Sequence, residues 1–440
     1  MSRQGGADQV SILQLSLHGH LVGHLAGYRS GRNVLLFAPE YAYAHQRPTL
    51  GLITHPTFPD SGELLSRDWA RHQRLHPLLS NLLPEGSLRM LLARNLKVHI
   101  DHEFQLFAWL GQDLPGALVA TPLEPDQVPS QVVSRLEFGS QVEQRLARQQ
   151  GQPAKFSLAG VQMKFSMSQK AGRYLLATDE ELTGGSGLGD WIIKPPSPHH
   201  ASVPLNEFTG MRLAELAGVD IPEIRLVDTD LLDNLPPINL PQEKKAFAIA
   251  RFDRYRHQSG VERIHMEDFA QVLVKYPHDK YQGGNYAQLA RILYRYSGDG
   301  TADVQQHARR LLVNILLANG DAHLKNWSLL YGDRVTPRLS PAYDILTTQV
   351  YMEGERTSAL NLARQKNWYE TSMETFESWA RQADIPWRLV QSHLEDTIER
   401  ARAHWPQALR ELPMLEQHKE QLRAHWRRLD LDFRIDAGQD

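Results

Sequence analysis

The stretch Ala318-Asn319-Gly320-Asp321-Ala322-His323-Leu324-Lys325-Asn326-Trp327-Ser328 decides how this chain is read. Upstream of it, Val304, Ala308, Leu311, Leu312 and Ile315 recur at helical spacing, which predicts a helix over 303–318 with one buried face. Asn319-Gly320 is a helix stop, because these residues readily take the left-handed conformation that closes a last turn. Asp321 therefore falls on a loop directly after a buried helix, and Asn326 follows five residues later. Beyond it come an apolar strand (Trp327 to Tyr331), a Gly332-Asp333 turn, a second strand and then Tyr343-Asp344-Ile345.

A D-x4-N pair by itself is common, and its aspartate can be a turn or capping residue with no chemical role. The order helix, loop, hairpin, second aspartate is more demanding. Phosphoryl transfer of the protein-kinase type requires this set: an Asp to accept the hydroxyl proton, an Asn on magnesium and a second Asp on magnesium. Asp321, Asn326 and Asp344 fill these places, and their oxygens suit hard Mg2+, which keeps its waters and takes few carboxylates. His323, in the same loop, is either structural or a contact to substrate or phosphate.

Further upstream, Trp191-Ile192-Ile193-Lys194 reads as a buried strand ending in a cation for the α- and β-phosphates of ATP. Glu207 opens the next helix, predicted over 205–217 with its stop at Gly218. Lys194 and Glu207 either form an ion pair or are a surface lysine and a glutamate favoured by the helix dipole. Ser157-Leu158-Ala159-Gly160-Val161-Gln162-Met163-Lys164 can turn over phosphates with its backbone N–H groups, although a single glycine makes it a weak phosphate loop.

The rest of the chain supplies the frame. Residues 10–38 alternate apolar and polar about His18-Gly19-His20 and predict a small antiparallel sheet. Leu78 to Leu92 is apolar at helical spacing and is split by Pro84 and Gly86. Between Pro122 and Gln152 the composition shifts to Pro, Gln, Ser and Glu, which places a boundary near 125–150. Strands follow at 155–167, 174–177 and 246–250, and helices at 371–383, 386–402 and 406–427. The division expected is 1–125, 150–250 and 251–440. With Lys+Arg 48 against Asp+Glu 51, the net charge of −3 gives no overall basic field for a nucleic-acid backbone. The absence of cysteine excludes disulfides and thiolate chemistry. The N-terminal residues lack a signal pattern and no run is long enough to span a membrane, so a cytoplasmic protein is expected.

Several of these segments together carry a family resemblance: Phe156 to Lys164, Ile192-Ile193-Lys194, Asn206-Glu207, Arg251-Phe252-Asp253-Arg254, His265-Met266-Glu267-Asp268-Phe269, Gly320 to Asn326 and Pro341-Ala342-Tyr343-Asp344. In order and spacing the chain resembles the HipA family of bacterial toxin kinases. Phe37-Ala38-Pro39-Glu40-Tyr41, Asn81-Leu82-Leu83-Pro84-Glu85-Gly86 and Leu114-Pro115-Gly116-Ala117 are similar to that family's N-terminal subdomain. The resemblance implies an α+β, two-lobed protein-kinase-like fold: a β-rich N-terminal lobe with an extra N-terminal subdomain, and an all-helical C-terminal lobe. It also implies a Ser/Thr protein kinase using ATP and Mg2+, with Asp321 as base, Asn326 and Asp344 on the metal, and Lys194, Glu207 and the loop residues Ser157, Ala159, Gly160, Gln162 and Lys164 around the nucleotide.

Ser157 is, in that reading, the serine that family members autophosphorylate, and the Glu267-Asp268-Phe269 segment is structural support. The partners implied are a HipB-like helix-turn-helix antitoxin, DNA only through that antitoxin, and a protein substrate in the translation machinery such as an aminoacyl-tRNA synthetase. No membrane partner is expected. Two other functions compete: a catalytically idle corepressor acting with the antitoxin, and a small-molecule kinase of related fold. The full set of phosphoryl-transfer residues disfavours the first, and the N-terminal module and Ser157 loop disfavour the second.

Overall fold

The computed structural model describes residues 8–138, 144–146, 163–177, 188–236, 240–257 and 260–436. Strands β1 (Asp8–Leu17) and β2 (His20–Tyr28) form a hairpin, with Leu17 opposite His20 across the His18-Gly19 turn. Both turn residues have positive φ, 50° and 79°, the conformation whose twist matches the strands it joins. β3 (Arg32–Phe37) and β4 (Trp69–His72) extend this sheet on one side and β5 (Leu118–Leu123) on the other, in the order β4-β3-β2-β1-β5. β6 (Gln144–Leu146) runs parallel to the start of β1. The strand period of two sorts β1 between two cores. Leu13, Leu15 and Leu17 join Leu78, Leu79, Leu88 and Leu92 of the helices Pro77–Ser80 and Gly86–Leu96, while Val10 and Ile12 join Val132 and Leu136. The helix break at Pro84-Glu85 is the one the sequence predicts.

The second sheet comprises β7 (Phe165–Lys170), β8 (Arg173–Leu176), β9 (Trp191–Lys194), β10 (Ile224–Asp228), β11 (Leu232–Asp233) and β12 (Lys245–Ala250), in the order β10-β12-β9-β7-β8-β11. Alternation again decides the packing. Ala246 and Ala248 of β12 face the core of the first module, whereas Phe247 and Ile249 face the helical half and the helix Val203–Leu216. The expected segments 1–125 and 150–250, divided in the sequence by the shift between Pro122 and Gln152, thus contribute to one apolar core along one face of this sheet.

A buried ionic lock also joins them to the third segment. Arg254 donates to Asp113 at 3.0 Å and to the Gly116 carbonyl at 2.8 Å, and Arg251 donates to Asp253 at 2.6 and 2.9 Å. The Gly116 N–H donates to Asp253 at 2.8 Å. The arginines overcome the burial that would raise Asp253 and hold its carboxyl well below the usual range. Gly116 has φ 77°, and a Cβ there would lie 2.9 Å from the Met266 nitrogen, so glycine is required for this approach.

The helical half is built on Gly300–Leu316, capped by Asp299, whose side chain accepts from the Ala302 N–H at 3.1 Å. Its last carbonyls, which have no partner within the helix, accept from the C-terminal helix Glu416–Arg428: His425 reaches Ile315 at 2.8 Å and Trp426 reaches Leu316 at 2.9 Å. That fixes where the chain leaves the helix and enters the 318–326 loop. This half also carries short strands, beyond the expected pair that begins at Trp327, so the lobe is not all-helical. β13 (Arg254–His257) pairs with β14 (Gly260–Arg263), and β15 (His265–Asp268), β16 (Ser328–Tyr331) and β17 (Arg338–Leu339) form a three-stranded sheet. The expected 406–427 helix is shifted: the preceding helix runs Trp387–Glu411 straight through Pro406. Buried Ala401, Trp405 and Leu409 on either side hold it together despite the lost backbone bond. The helix Tyr286–Tyr296, capped by Asn285, follows Gly283-Gly284 and is not among the helices expected from the sequence, although Asn285 and the spacing of Ala287, Ala290 and Leu293 carry its signal. The architecture is a two-lobed, kinase-like α+β fold with an added N-terminal module.

Candidate active site

A cavity of about 240 Å3 lies where the second sheet, the helical half and the N-terminal module meet. Lys164, Lys194, Glu207, Asp321, His323, Asn326 and Asp344 all line it. Ile192, Ile249, Phe252 and Leu346 supply an apolar wall. Ser157, Ala159, Gly160 and Gln162 lie outside the described residues.

Lys194 ends the central strand β9 and is buried, so its ammonium needs compensation. It donates to both Glu207 and Asp344. Of the two readings the sequence left open for Lys194 and Glu207, the structure has the ion pair. Burial works against the charged lysine, but the two carboxylates outweigh it and hold Lys194 well above the ordinary range. They do not share the ammonium equally. Burial raises Glu207 to about 7 against the pull of Lys194, and its Oε2 has no hydrogen-bond partner. Asp344 feels the same burial, yet Lys194 and Lys164 together hold it well below the usual carboxylate range. Lys164 itself is lowered by burial, with Asp344 opposing.

Asp344 has φ 55°, a left-handed conformation that costs a non-glycine residue about 1 kcal/mol or more. Its neighbours hold it there. Asn206 clasps the Thr347 peptide from both sides, donating to its carbonyl at 2.9 Å and accepting from its N–H at 3.0 Å. Asn319 donates to the Asp344 carbonyl at 3.3 Å, and Tyr343 donates to the Lys325 carbonyl at 2.8 Å. The residue after Asn206 is Glu207, so one helix positions both ends of the triad.

Asp321 stands at the mouth, its side chain half exposed. The Tyr281 hydroxyl donates to Oδ1, and the Asn319 side chain accepts from the Asp321 N–H at 3.1 Å. The surrounding protein raises its carboxyl above the ordinary value, with the Tyr281 bond opposing. Asn326 donates its amide N–H to the Asp321 carbonyl at 3.0 Å, which does not engage its amide oxygen, and it lines the cavity together with Asp344. His323 is buried, its ring edge-on to Tyr281 at 5.0 Å. Burial, with Lys280 and Lys325 adding, lowers it to about 3, so the ring is neutral. Among the described residues no group of three or more His, Cys, Asp or Glu forms a metal cage. One amide oxygen and one ionised carboxylate fit Mg2+ that arrives with phosphate and waters as its other ligands, and fit poorly with a resident metal.

Several lining residues were given no site role by the sequence reading. Asn81 and Glu85 come from the N-terminal module, and Lys280 and Lys325 meet them across the cavity. Asn81 and Glu85 stand in a segment that carried the resemblance, but nothing local marks which element they face. Asp268 accepts from Lys325 at 2.7 Å and caps the helix Phe269–Val272, in keeping with a supporting role for that segment.

Comparison with known proteins places this geometry. Residues 13–121 match the HipA N-terminal domain and residues 156–405 the HipA-like C-terminal domain. The protein named "Putative kinase Y4dM" of Sinorhizobium fredii is 39% identical over 420 residues, covering 95% of this chain and 97% of that protein. "Serine/threonine-protein kinase toxin HipA" of Shewanella oneidensis is 25% identical over 424 residues, covering 89% and 88%. A solved structure of the Shewanella oneidensis MR-1 HipA, HipB and operator DNA complex matches with a TM-score of 0.68 and 22% identity, over 95% of this chain and 97% of that one. At that identity the likeness is one of fold. With both domains matched in order and a relative similar along nearly its full length, the chain belongs to the HipA family.

Proposed function

We propose that this protein is an ATP-dependent serine/threonine protein kinase, the toxin of a HipA/HipB-type module. The observation that carries the reading is the convergence of Lys194, Asp321, Asn326 and Asp344 on one cavity between the lobes. Asp321 takes the proton of the acceptor hydroxyl, and its raised carboxyl makes it a better base than a free aspartate. Lys194, kept charged by its two carboxylates, faces the α- and β-phosphates. Asn326 and Asp344 would hold Mg2+, which supplies charge neutralisation for the phosphates when bound. His323, a neutral ring that lines the same cavity, would be the residue that touches substrate or phosphate. Ser157, Ala159, Gly160, Gln162 and Lys164 would cover the phosphates, with Ser157 as the autophosphorylated residue.

Family membership and the relative solved with HipB and operator DNA support a HipB-like antitoxin partner; that DNA is reached only through it, and that the protein substrate belongs to the translation machinery, are part of the proposal. Among the described residues no helix is long and apolar enough to cross a membrane; a cytoplasmic location belongs to the proposal as well. The test is calorimetry of the dephosphorylated protein with Mg-ATP, followed by transfer of γ-labelled phosphate to serine or threonine of lysate proteins. Binding in the micromolar to millimolar range with labelled phosphoserine or phosphothreonine is expected. No binding at millimolar nucleotide would sink the proposal.

A further inference from the structure

The phosphoryl-transfer loop is held by the N-terminal module as well as by its own lobe. Asn81, Leu82 and Glu85, in the turn that follows the short helix Pro77–Ser80, line the same cavity as Asp321. Asn81 offers both its carbonyl and its Oδ1 to the buried Lys325 ammonium, each at 3.0 Å, and Lys325 lies inside the 321–326 loop. Glu85 accepts from the buried Lys280 ammonium at 3.1 Å, and its other oxygen is 3.8 Å from Lys325. Lys280 in turn accepts the Leu324 N–H on its carbonyl at 3.2 Å. The next residue, Tyr281, donates its hydroxyl to Asp321. The turn itself is anchored: Asn81 donates to the Lys275 carbonyl at 2.7 Å, and Gln271 donates to the Leu78 carbonyl at 2.7 Å.

Two lysines are thus buried beside Asp321, and the groups that compensate them come largely from a segment about 200 or more residues away in sequence. Asp268 balances Lys325 from within the helical half, but the carboxylate in hydrogen-bond contact with Lys280 is Glu85. Removing it leaves a buried ammonium without its counter-charge, and the ammonium must move toward water or toward Asp321. Either displacement drags Tyr281 and Leu324, because both are fixed to the Lys280 backbone.

We infer that Asn81 and Glu85 are positioning residues for the transfer step: the N-terminal module acts in cis on Asp321, through Lys325 on one side and through Lys280 and Tyr281 on the other. The inference rests on the kinase reading above and goes further, by giving the N-terminal module a part in catalysis. Neither residue touches the triad of Lys194, Glu207 and Asp344, so nucleotide affinity and turnover separate.

The experiment uses the full chain with Glu85→Gln, Asn81→Ala and the charge exchange Glu85→Lys/Lys280→Glu. Turnover, KM for ATP, Mg-ATP affinity and melting temperature are measured on each. Expected for Glu85→Gln and Asn81→Ala is a fall in kcat of roughly 10- to 100-fold, the scale of a reacting group displaced by about 1 Å, with ATP KM and affinity within about threefold of wild type. The exchange should recover part of the loss, because the pair is restored with its sign reversed. Unchanged kcat in an active, folded Glu85→Gln overturns the positioning role and leaves the kinase reading standing. Loss of kcat matched by equal loss of ATP affinity or of folded protein also overturns it. An inactive wild type overturns both.

Discussion

The buried Lys194 and the part-buried Asp344 form an ion pair between the two lobes, joining positions 150 residues apart. The pair sets the sign of the nucleotide site. Asp344 stays ionised, Lys194 stays charged, and Glu207, raised to about 7, is the partner that yields its charge first. Lys194→Met should weaken Mg-ATP binding roughly 10- to 100-fold, since a hydrogen bond to a charged group contributes about 1.5–3 kcal/mol. It should also lower the melting temperature by leaving two carboxylates facing each other. Calorimetry and thermal melts with Lys194→Arg alongside check this; equal ATP affinity in wild type and Lys194→Met would count against the assignment.

Asp321→Ala should lower phosphate transfer by about 10²- to 10⁴-fold, the usual contribution of a positioned general base. The side chain is half exposed and, among the described residues, its side-chain hydrogen bond is to the Tyr281 hydroxyl, so the melting temperature should shift little. Radiolabel transfer to lysate protein by the purified variant measures the loss, and retained transfer removes Asp321 from the chemistry.

Asn326→Ala and Asp344→Ala should both impair magnesium-dependent transfer but respond differently to added metal. Loss of a neutral amide leaves the charge balance of the site intact, so excess Mg2+ or Mn2+ should partly restore Asn326→Ala. Asp344→Ala removes the counter-charge of the metal and the inter-lobe partner of Lys194 together, and metal should not restore it. Metal titrations of turnover that are indistinguishable among wild type and both variants would contradict this.

Ser157 should carry phosphate after incubation with Mg-ATP, and its modification should slow turnover. In the proposed reading Ser157 belongs to the loop over the phosphates, so a phosphoserine would add about −1.5 to −2 charges beside the anionic nucleotide. Phosphopeptide mapping locates the group, and time courses of wild type and Ser157→Ala test the effect. Phosphate found elsewhere, with identical time courses, argues against an autoinhibitory loop.

Stability should fall as pH rises through the range of Glu267. Its carboxyl accepts from the Leu52 N–H at 2.6 Å and from Tyr331, clamping the N-terminal module to β16, and burial raises it to about 8 from an ordinary 4.5. The folded chain therefore holds a proton that the unfolded chain has released. The stabilising term is full below about pH 4.5 and is lost as pH passes about 8. Between pH 6 and 8 this single group should cost on the order of 2 kcal/mol, at about 1.4 kcal/mol per pH unit. Denaturant melts at both pH values should show that slope in wild type and a flatter one in Glu267→Gln.

Local chemistry made part of this molecule legible. The β1–β2 hairpin, the strand ending at Lys194, the helix break at Pro84 and the helix leading to Asp321 follow from alternation, helical spacing and turn residues. Each of these acts over a few residues. The spacing of Asp321 and Asn326 was readable for the same reason: both lie on one loop. Pro406 misled because a proline's local effect on a helix was overridden by the packing of Trp405 and Leu409 on either side of it.

The amino-acid sequence by itself determined the locally encoded elements, such as the β1–β2 hairpin and the helix before Asp321, and supplied the acids, amide and lysine of the proposed site. It left open whether Lys194 meets Glu207, because the chain between them does not reveal how a helix rotates against a sheet. It was silent on Asn81 meeting Lys325 across 244 residues and on Glu85 meeting Lys280 across 195. Only the tertiary structure decided these contacts. A buried charge must find its compensation wherever packing brings an opposite one, and the burial of apolar faces on both sides of the second sheet set those positions before any ion pair could form.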